Sequence, residues 1–198
     1  MPSSAPTRTI VARRMPREAR REQLLNAAAA AFLERGFDGT SMEVVADHAG
    51  VTRMLVYRHF ESKSAIYRAV LGAAVDALRE VFDPAVAGHE PGVPGQLLTA
   101  ARARPDAFRL LWRHARHEPE FAADALAFRH VAVEFADALL AGTVPDAKRR
   151  HWSAVLIIDY LFDGICNHLD EGDEADDADL ARHLFWGATG MISAWGPA

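Results

Sequence analysis

Apolar residues recur along this chain every three to four positions, and no stretch alternates with period two over strand length between hairpin signals. That period lines up side chains on one face of an α-helix, so the pattern predicts an all-α fold. Pro16 suits the first turn of a helix. From there Leu24, Leu25, Ala28, Ala31 and Phe32 share a face, until Gly36 ends the run. A second helix is expected from Thr40-Ser41-Met42-Glu43, which has the Ser/Thr-x-x-Glu pattern of a capping box, to about Ala49, with a stop at Gly50. A short third helix follows over about 53–59 with Thr52 as its N-cap. Ser62 then caps a fourth that continues to about Phe82, where Asp83-Pro84 breaks it.

Residues 84–95 hold three Pro and three Gly, which predicts a connector over about 83–95. Beyond it the pattern is helical throughout, over about 96–103, 105–117, 119–141, 146–170 and 178–195. Residues 1–15 show no amphipathic period and carry three arginines among Pro, Ser and Thr, so they are expected to form a disordered basic arm. The chain thus divides into the arm, a first folded unit over 16–62 and a second over 63–198.

Half of the 198 residues are hydrophobic, enough for a sizeable core. No run of 18 apolar residues escapes a charge, so no membrane span is expected, and the N-terminus lacks the apolar segment of a secretory signal. The single cysteine, Cys166, has no intramolecular partner and fits a reducing cytoplasm. Charge changes the picture more. The net −5 hides an asymmetry: residues 1–70 carry 11 basic and 7 acidic residues, the remainder 11 basic and 20 acidic. A basic front end on an acidic protein suits a polyanion bound at that end, although a solvated tail would look the same.

The second and third helices have the makings of a helix-turn-helix. Val45 and Ala46 face inward, with Ala46 small enough for close helix approach. Gly50 can take the positive φ of the turn, and Val51 and Val56 plug the third helix onto the core. Around them, Gly39-Thr40-Ser41-Met42-Glu43-Val44-Val45-Ala46, then Ala49-Gly50-Val51-Thr52, then Val56-Tyr57-Arg58-His59-Phe60-Glu61-Ser62-Lys63 closely resemble the TetR family of bacterial regulators. The resemblance covers about residues 18–70 and is most specific in its Tyr-x-x-Phe-x-x-Lys ending; the rest of the chain resembles the family only in helix pattern and length. It implies a homodimeric repressor on double-stranded DNA, with 16–62 as DNA-binding domain and 63–198 as the effector-binding and dimerisation domain. A small-molecule effector would release the DNA.

Under that resemblance Thr52, Arg53, Met54 and Leu55 stand at the end of the third helix that enters the major groove. Arg53 can donate twice to a guanine edge, the reading favoured here, or neutralise a phosphate. Met54 and Leu55 suit thymine methyl groups unless Leu55 packs inward. Tyr57 and His59 fall where the family contacts phosphates. Lys63 opposes the dipole of its own helix, which a phosphate would explain, and Thr40 and Ser41 offer helix-start amides and hydroxyls to another phosphate. Phe60 is expected in the core. Arg13, Arg14, Arg17, Arg20 and Arg21 either reach the DNA backbone or are solvated.

In the second unit, Val155, Ile158, Phe162, Ile165 and Leu169 are spaced 3, 4, 3, 4, and the last helix carries Leu180, Leu184, Ala188, Met191 and Trp195 with Gly187 and Gly190 in its body. Two mid-helix glycines suggest close packing against another helix. The expectation is a four-helix dimer interface made by these stripes, against the alternative that both serve the chain's own core. For the effector, Phe108, Trp112, Phe128 and Trp152 are candidate walls of an apolar pocket, with His130 and Asp159 among the polar candidates.

A catalytic reading has little to stand on. There is no His-Glu-x-x-His, paired cysteine, nucleophile elbow or phosphate-cradling glycine loop, so neither enzyme activity, metal nor cofactor is expected. His114 and His117 with Glu118 make only a partial metal site. The acidic run Asp170–Asp179 lacks calcium-loop spacing and reads as a helix-capping loop. The alternative to an apolar effector is a metal- or redox-responsive regulator using His114/His117 or Cys166; a buried, inert thiol is the simpler reading of the latter.

Overall fold

A computed structural model describes residues 15–82 and 92–195. Residues 1–14 of the expected arm, with Arg13 and Arg14, and positions 83–91 of the expected connector lie outside them. Among the described residues every regular element is helical.

Helix α1 (Arg17–Gly39) buries Leu24, Leu25, Ala28, Ala29, Ala31 and Phe32 along one face. Gly36 breaks it as expected, at φ +71°, a conformation that glycine alone adopts without strain. A further turn then carries the chain to Gly39. There Thr40 locks the reversal: its buried hydroxyl lies 2.7 Å from the Gly36 carbonyl and 3.1 Å from that of Ala31. The next two helices are α2 (Met42–Ala49) and α3 (Arg53–His59), and α4 (Lys63–Leu78) lies back across α1. The N-cap of α2 is Ser41, whose hydroxyl accepts from the Val44 amide, so the expected capping box through Glu43 does not form. Ser62 caps α4 as expected, by accepting from the Ala65 amide.

Helix α5 (Gly92–Ala103) starts four residues before the expected position, so the last part of the expected connector is helical. Helix α6 (Pro105–Arg109) widens into a π-helical turn over Leu110–His114 and ends in a 3-10 turn at Ala115–His117. Then come α7 (Ala122–Leu140), α8 (Ala147–Glu171) and α9 (Asp177–Trp195). Asp146 caps α8 through the Arg149 amide. Helix α8 is central, packed on α7 and α9, while α6 sits between it and the α1–α4 layer.

The junction between the two layers is aromatic. Phe121, fully buried just before α7, stacks on Tyr67 of α4 at 4.3 Å between ring centroids and meets Phe37 edge-on at 4.9 Å. Phe32 closes the cluster from below, 4.8 Å from Tyr67. Burial holds the Tyr67 phenol in its neutral form. Ion pairs flank it, Arg68 with Glu120 and Arg104 with Glu22. Rings of this size, packed edge to face, give the junction a defined geometry.

Candidate functional site

The turn between α2 and α3 follows from local chemistry. Gly50 takes φ +62° and ψ +37°, and the Val51 amide returns to the Ala46 carbonyl at 3.0 Å, closing the last turn of α2. Val45 and Ala46 are buried against α1, and the Gln23 side chain ties α1 to the Ala49 carbonyl. Helix α3 is then plugged into the core by Val56, with Phe60 just beyond it. A short helix fixed on one side shows its other side to solvent. Thr52, Arg53, Met54, Tyr57 and Arg58 are all exposed, Met54 by 75%.

Arg53 is not idle on this surface. Its Nη1 pairs with the Glu43 carboxylate at the start of α2, its Nη2 donates to the Tyr57 hydroxyl at 3.3 Å, and the guanidinium lies 5.2 Å from the Tyr57 ring centroid. Leu55 turns away from the tip and is half-buried, the alternative allowed from the sequence. It lines a groove with Met15, Pro16, Arg17, Arg20, Arg58 and His59. The flank of α3 nearest α1 is therefore cationic, and Arg21 adds to it from above the Phe60 ring. Burial first, then Arg17, Arg20, Arg21 and Arg58, hold His59 below its ordinary pKa.

Two expected phosphate ligands are otherwise engaged. The Thr40 hydroxyl is buried in the α1 reversal and cannot meet a phosphate; of that pair only Ser41 is exposed. The Lys63 ammonium donates to the Phe37 carbonyl at 2.7 Å and lies 4.2 Å from the Phe37 ring centroid. A cation at the end of α1 is favourable in itself, so Lys63 needs no phosphate to account for its position. Sequence reasoning missed Arg58 and Glu43. Arg58 stands three residues after Leu55 on the same face, which helical spacing alone could have shown. Glu43 was absorbed by the capping-box pattern.

In the second layer the residues expected at the pocket and at the dimer stripe are spread over core and surface. Phe108, Trp112 and Phe128 are buried around Phe162, with centroids 5.3, 4.4 and 5.8 Å from it. His130 is exposed and pairs with Glu134, Asp159 pairs with Arg129, and Trp152 is 57% exposed. An apolar cavity lies between the turn after α4 and helices α5, α7, α8 and α9. Its volume is about 220 Å³, and Phe82, Val93, Phe135, Leu140, Leu161 and Ile192 are among its walls. Among the described residues no charged side chain lines it.

The proposed dimer stripe of α8 also turns inward. Ile158, Phe162, Ile165 and Leu169 are buried within the chain, as is Leu184 of α9, and Val155 is half-buried. Ala188, Met191 and Trp195 are half-buried too. Gly187 does serve a close helix approach, but within the chain: a Cβ there would stand 2.2 Å from the Tyr160 hydroxyl of α8. Gly190 faces open space. What α8 shows to solvent is a different stripe, Trp152, Leu156 and Tyr160; Phe185 and Trp186 of α9 are also exposed, the last by 64%.

Cys166 is fully buried, and burial pushes its thiol up to about 12. His114 is held below its ordinary value by burial and by Arg113. Among the described residues no three or more His, Cys, Asp or Glu side chains are grouped to hold a metal. No helix among them is long and apolar enough to cross a membrane.

Residues 24–70 match the family model of bacterial regulatory proteins, tetR family. The HTH-type transcriptional activator FasR of Mycolicibacterium smegmatis is 48% identical over 65 residues, which are 33% of this chain and 30% of that protein. The HTH-type transcriptional repressor BepR of Brucella suis is 44% identical over 54 residues, 27% of this chain and 26% of BepR. The chain thus matches less than a third of the length of these two relatives. The likeness of the whole fold is wider. The crystal structure of a TetR-like transcriptional regulator from Rhodococcus sp. RHA1 superposes with a TM-score of 0.68 at 24% identity, over 89% of this chain and 99% of that one.

Proposed function

The chain belongs to the TetR family of bacterial regulators, and from that premise we propose that it is a homodimeric transcriptional repressor, released from a palindromic operator by a small, largely apolar ligand. One observation carries the reading: the outer face of α3 is fixed from behind by Val56 and Phe60 and presents Thr52, Arg53, Met54 and Tyr57 outward, beside a cationic flank of Arg17, Arg20 and Arg58. A rigid helix with an arginine at its tip and cations beside it suits base edges in a major groove flanked by phosphates. Arg53 reads a base, Met54 meets a thymine methyl group, and Tyr57, His59, Ser41 and the α1 arginines grip the backbone.

The other parts of the proposal rest on α8, α9 and the cavity. Trp152, Leu156 and Tyr160 form an exposed stripe on α8 of the kind that marks a protein interface. A second copy applied there by two-fold symmetry would set two recognition helices on successive half-sites. The cavity is lined by apolar side chains and Thr189, whose hydroxyl is donated to the Phe185 carbonyl. Such walls favour an uncharged, apolar effector. The two relatives carry opposite signs of control in their names, activation for FasR and repression for BepR, and the proposal takes the latter. A redox trigger fits less well, because a thiol as buried as Cys166 is slow to form the reactive thiolate.

Selection of bound duplexes from a random DNA pool, using the purified full-length chain, tests the reading. A palindromic consensus is the expected result. Recovery of sequences no different from the starting pool would overturn it.

A further inference from the structure

A guanidinium reads guanine by donating two parallel N–H bonds from one edge. In this structure both terminal nitrogens of Arg53 are already engaged, Nη1 by the Glu43 carboxylate and Nη2 by the Tyr57 hydroxyl, with the ring of Tyr57 beneath. All three side chains are substantially exposed, so the arrangement is not imposed by packing. It joins the first turn of α2 to the first turn of α3 across the outer surface of the helix-turn-helix. In the first turn of α2 the Glu43 carboxylate suits the helix dipole, but it carries a cost toward DNA. Facing a polyanion, a carboxylate is repelled, and at the start of α2 it occupies the place where helix amides would otherwise receive a phosphate.

From this geometry we infer that Glu43 is a specificity-determining positioning residue, which restrains Arg53 against Tyr57 so that the guanidinium is given up to a guanine edge but not to an arbitrary phosphate. The inference rests on the DNA-binding reading above. On random sequence a phosphate offers Arg53 a charge partner of the kind it already has, so the pair with Glu43 persists and nothing is gained. On the operator, the guanine edge accepts two directed bonds. The guanidinium, which carries five N–H donors, can keep one bond to Glu43 while its other edge reads the base. Removing the carboxylate frees Arg53 for any phosphate, so non-specific binding gains more than specific binding does.

Glu43→Gln keeps the shape of the side chain and removes its charge. The probes are the duplex most enriched by the wild-type chain from a random pool and a scrambled duplex of the same composition. Affinities for both are measured over a range of salt, for the wild type, Glu43→Gln, Arg53→Ala and the double variant. Circular dichroism verifies that each is folded. The expected result for Glu43→Gln is a rise in affinity for the scrambled duplex with a salt slope steeper by about one. The ratio of the two affinities should fall by roughly tenfold, within the range of a single bidentate contact. In the Arg53→Ala background the same change should leave the ratio unaltered, because Glu43 acts through Arg53. A ratio that stays put in the single variant, or that falls equally in both backgrounds, would overturn the inference and reduce Glu43 to a generic negative charge. If the wild type itself does not distinguish the two duplexes, the DNA-binding reading fails, and this inference with it.

Discussion

The side chains around α3 divide by what already occupies them. Thr40 and Lys63 spend their polar atoms on the end of α1, closing the chain reversal at Gly36 and the Phe37 carbonyl. Tyr57 and Arg58 face solvent, Arg53 meets Glu43 and Tyr57, and the exposed Ser41 caps α2 through the Val44 amide. His59 is the residue in which this difference becomes measurable. Burial and four arginines depress its pKa in the free protein, so at about 6.5, where an ordinary imidazole is half charged, the ring is less charged than that. For folding alone, the unfolded imidazole takes up its proton first. Its contribution to stability is therefore present above about 6.5 and is lost as pH falls toward the lowered value. For DNA the sign reverses. A phosphate beside the ring offsets the arginines and raises the pKa, so binding takes up a proton and tightens as pH falls between the value in the complex and the lower one in the free protein. Affinity measured at pH 7.5 and 6.0 should rise in the wild type and change less in His59→Gln. Equal pH dependence in the two would remove His59 from the interface.

At the scale of elements, the helix-turn-helix depends on one backbone conformation. Gly50 is left-handed, and a Cβ there would meet nothing within 4 Å, so alanine would be strained by conformation and not by collision. Gly50→Ala should cost about 1–2 kcal/mol, the penalty of an L-residue in that region. In thermal denaturation this appears as a lower Tm, with the fold otherwise kept. An unchanged Tm would mean that the turn has an alternative geometry, and the orientation of α3 would need revision. Much of this layer was legible beforehand. The inward Val45, Ala46 and Val56, the stop at Gly50 and the exposed Met54 all follow from spacing within about twenty residues, which one helix and its turn can satisfy without help. The capping box was misread because Thr40 and Ser41 are adjacent and either could cap α2. The choice fell to Ser41 when Thr40 was drawn into the core by the carbonyls of α1.

At the scale of the whole molecule, α8 shows where such reasoning stops. It has apolar residues on two faces. One set, Ile158, Phe162 and Ile165, packs against the Phe108–Trp112–Phe128 cluster and α9, while Trp152, Leu156 and Tyr160 point outward. If the outward set is the proposed dimer interface, a charge at its centre should split the dimer. Leu156→Glu is expected to elute as a folded monomer where the wild type elutes as a dimer, and to lose affinity for a palindromic site far more than for one half-site. A dimer that survives Leu156→Glu would place the interface elsewhere. Signals to the DNA-binding layer would pass the Phe121–Tyr67–Phe37 junction, where the second layer is seated on the first through buried rings.

The sequence by itself determined the all-helical class, the limits of most helices to within a few residues and the helix-turn-helix with its exposed tip. Each of these is written in periodicity, caps and breakers a few residues apart, where the physics is local. Only the tertiary structure decided which stripe of α8 is core, where the apolar cavity lies, and that Arg53 is held by Glu43. A period of 3.6 shows that a helix has an apolar face but not which neighbour covers it. The cavity is the space left where four helices and the turn after α4 fail to meet, a property of none of them singly. The Glu43–Arg53 pair joins two helices whose relative angle is set by the turn and by their packing on α1, so spacing along the chain could place the two residues near one another but not in contact.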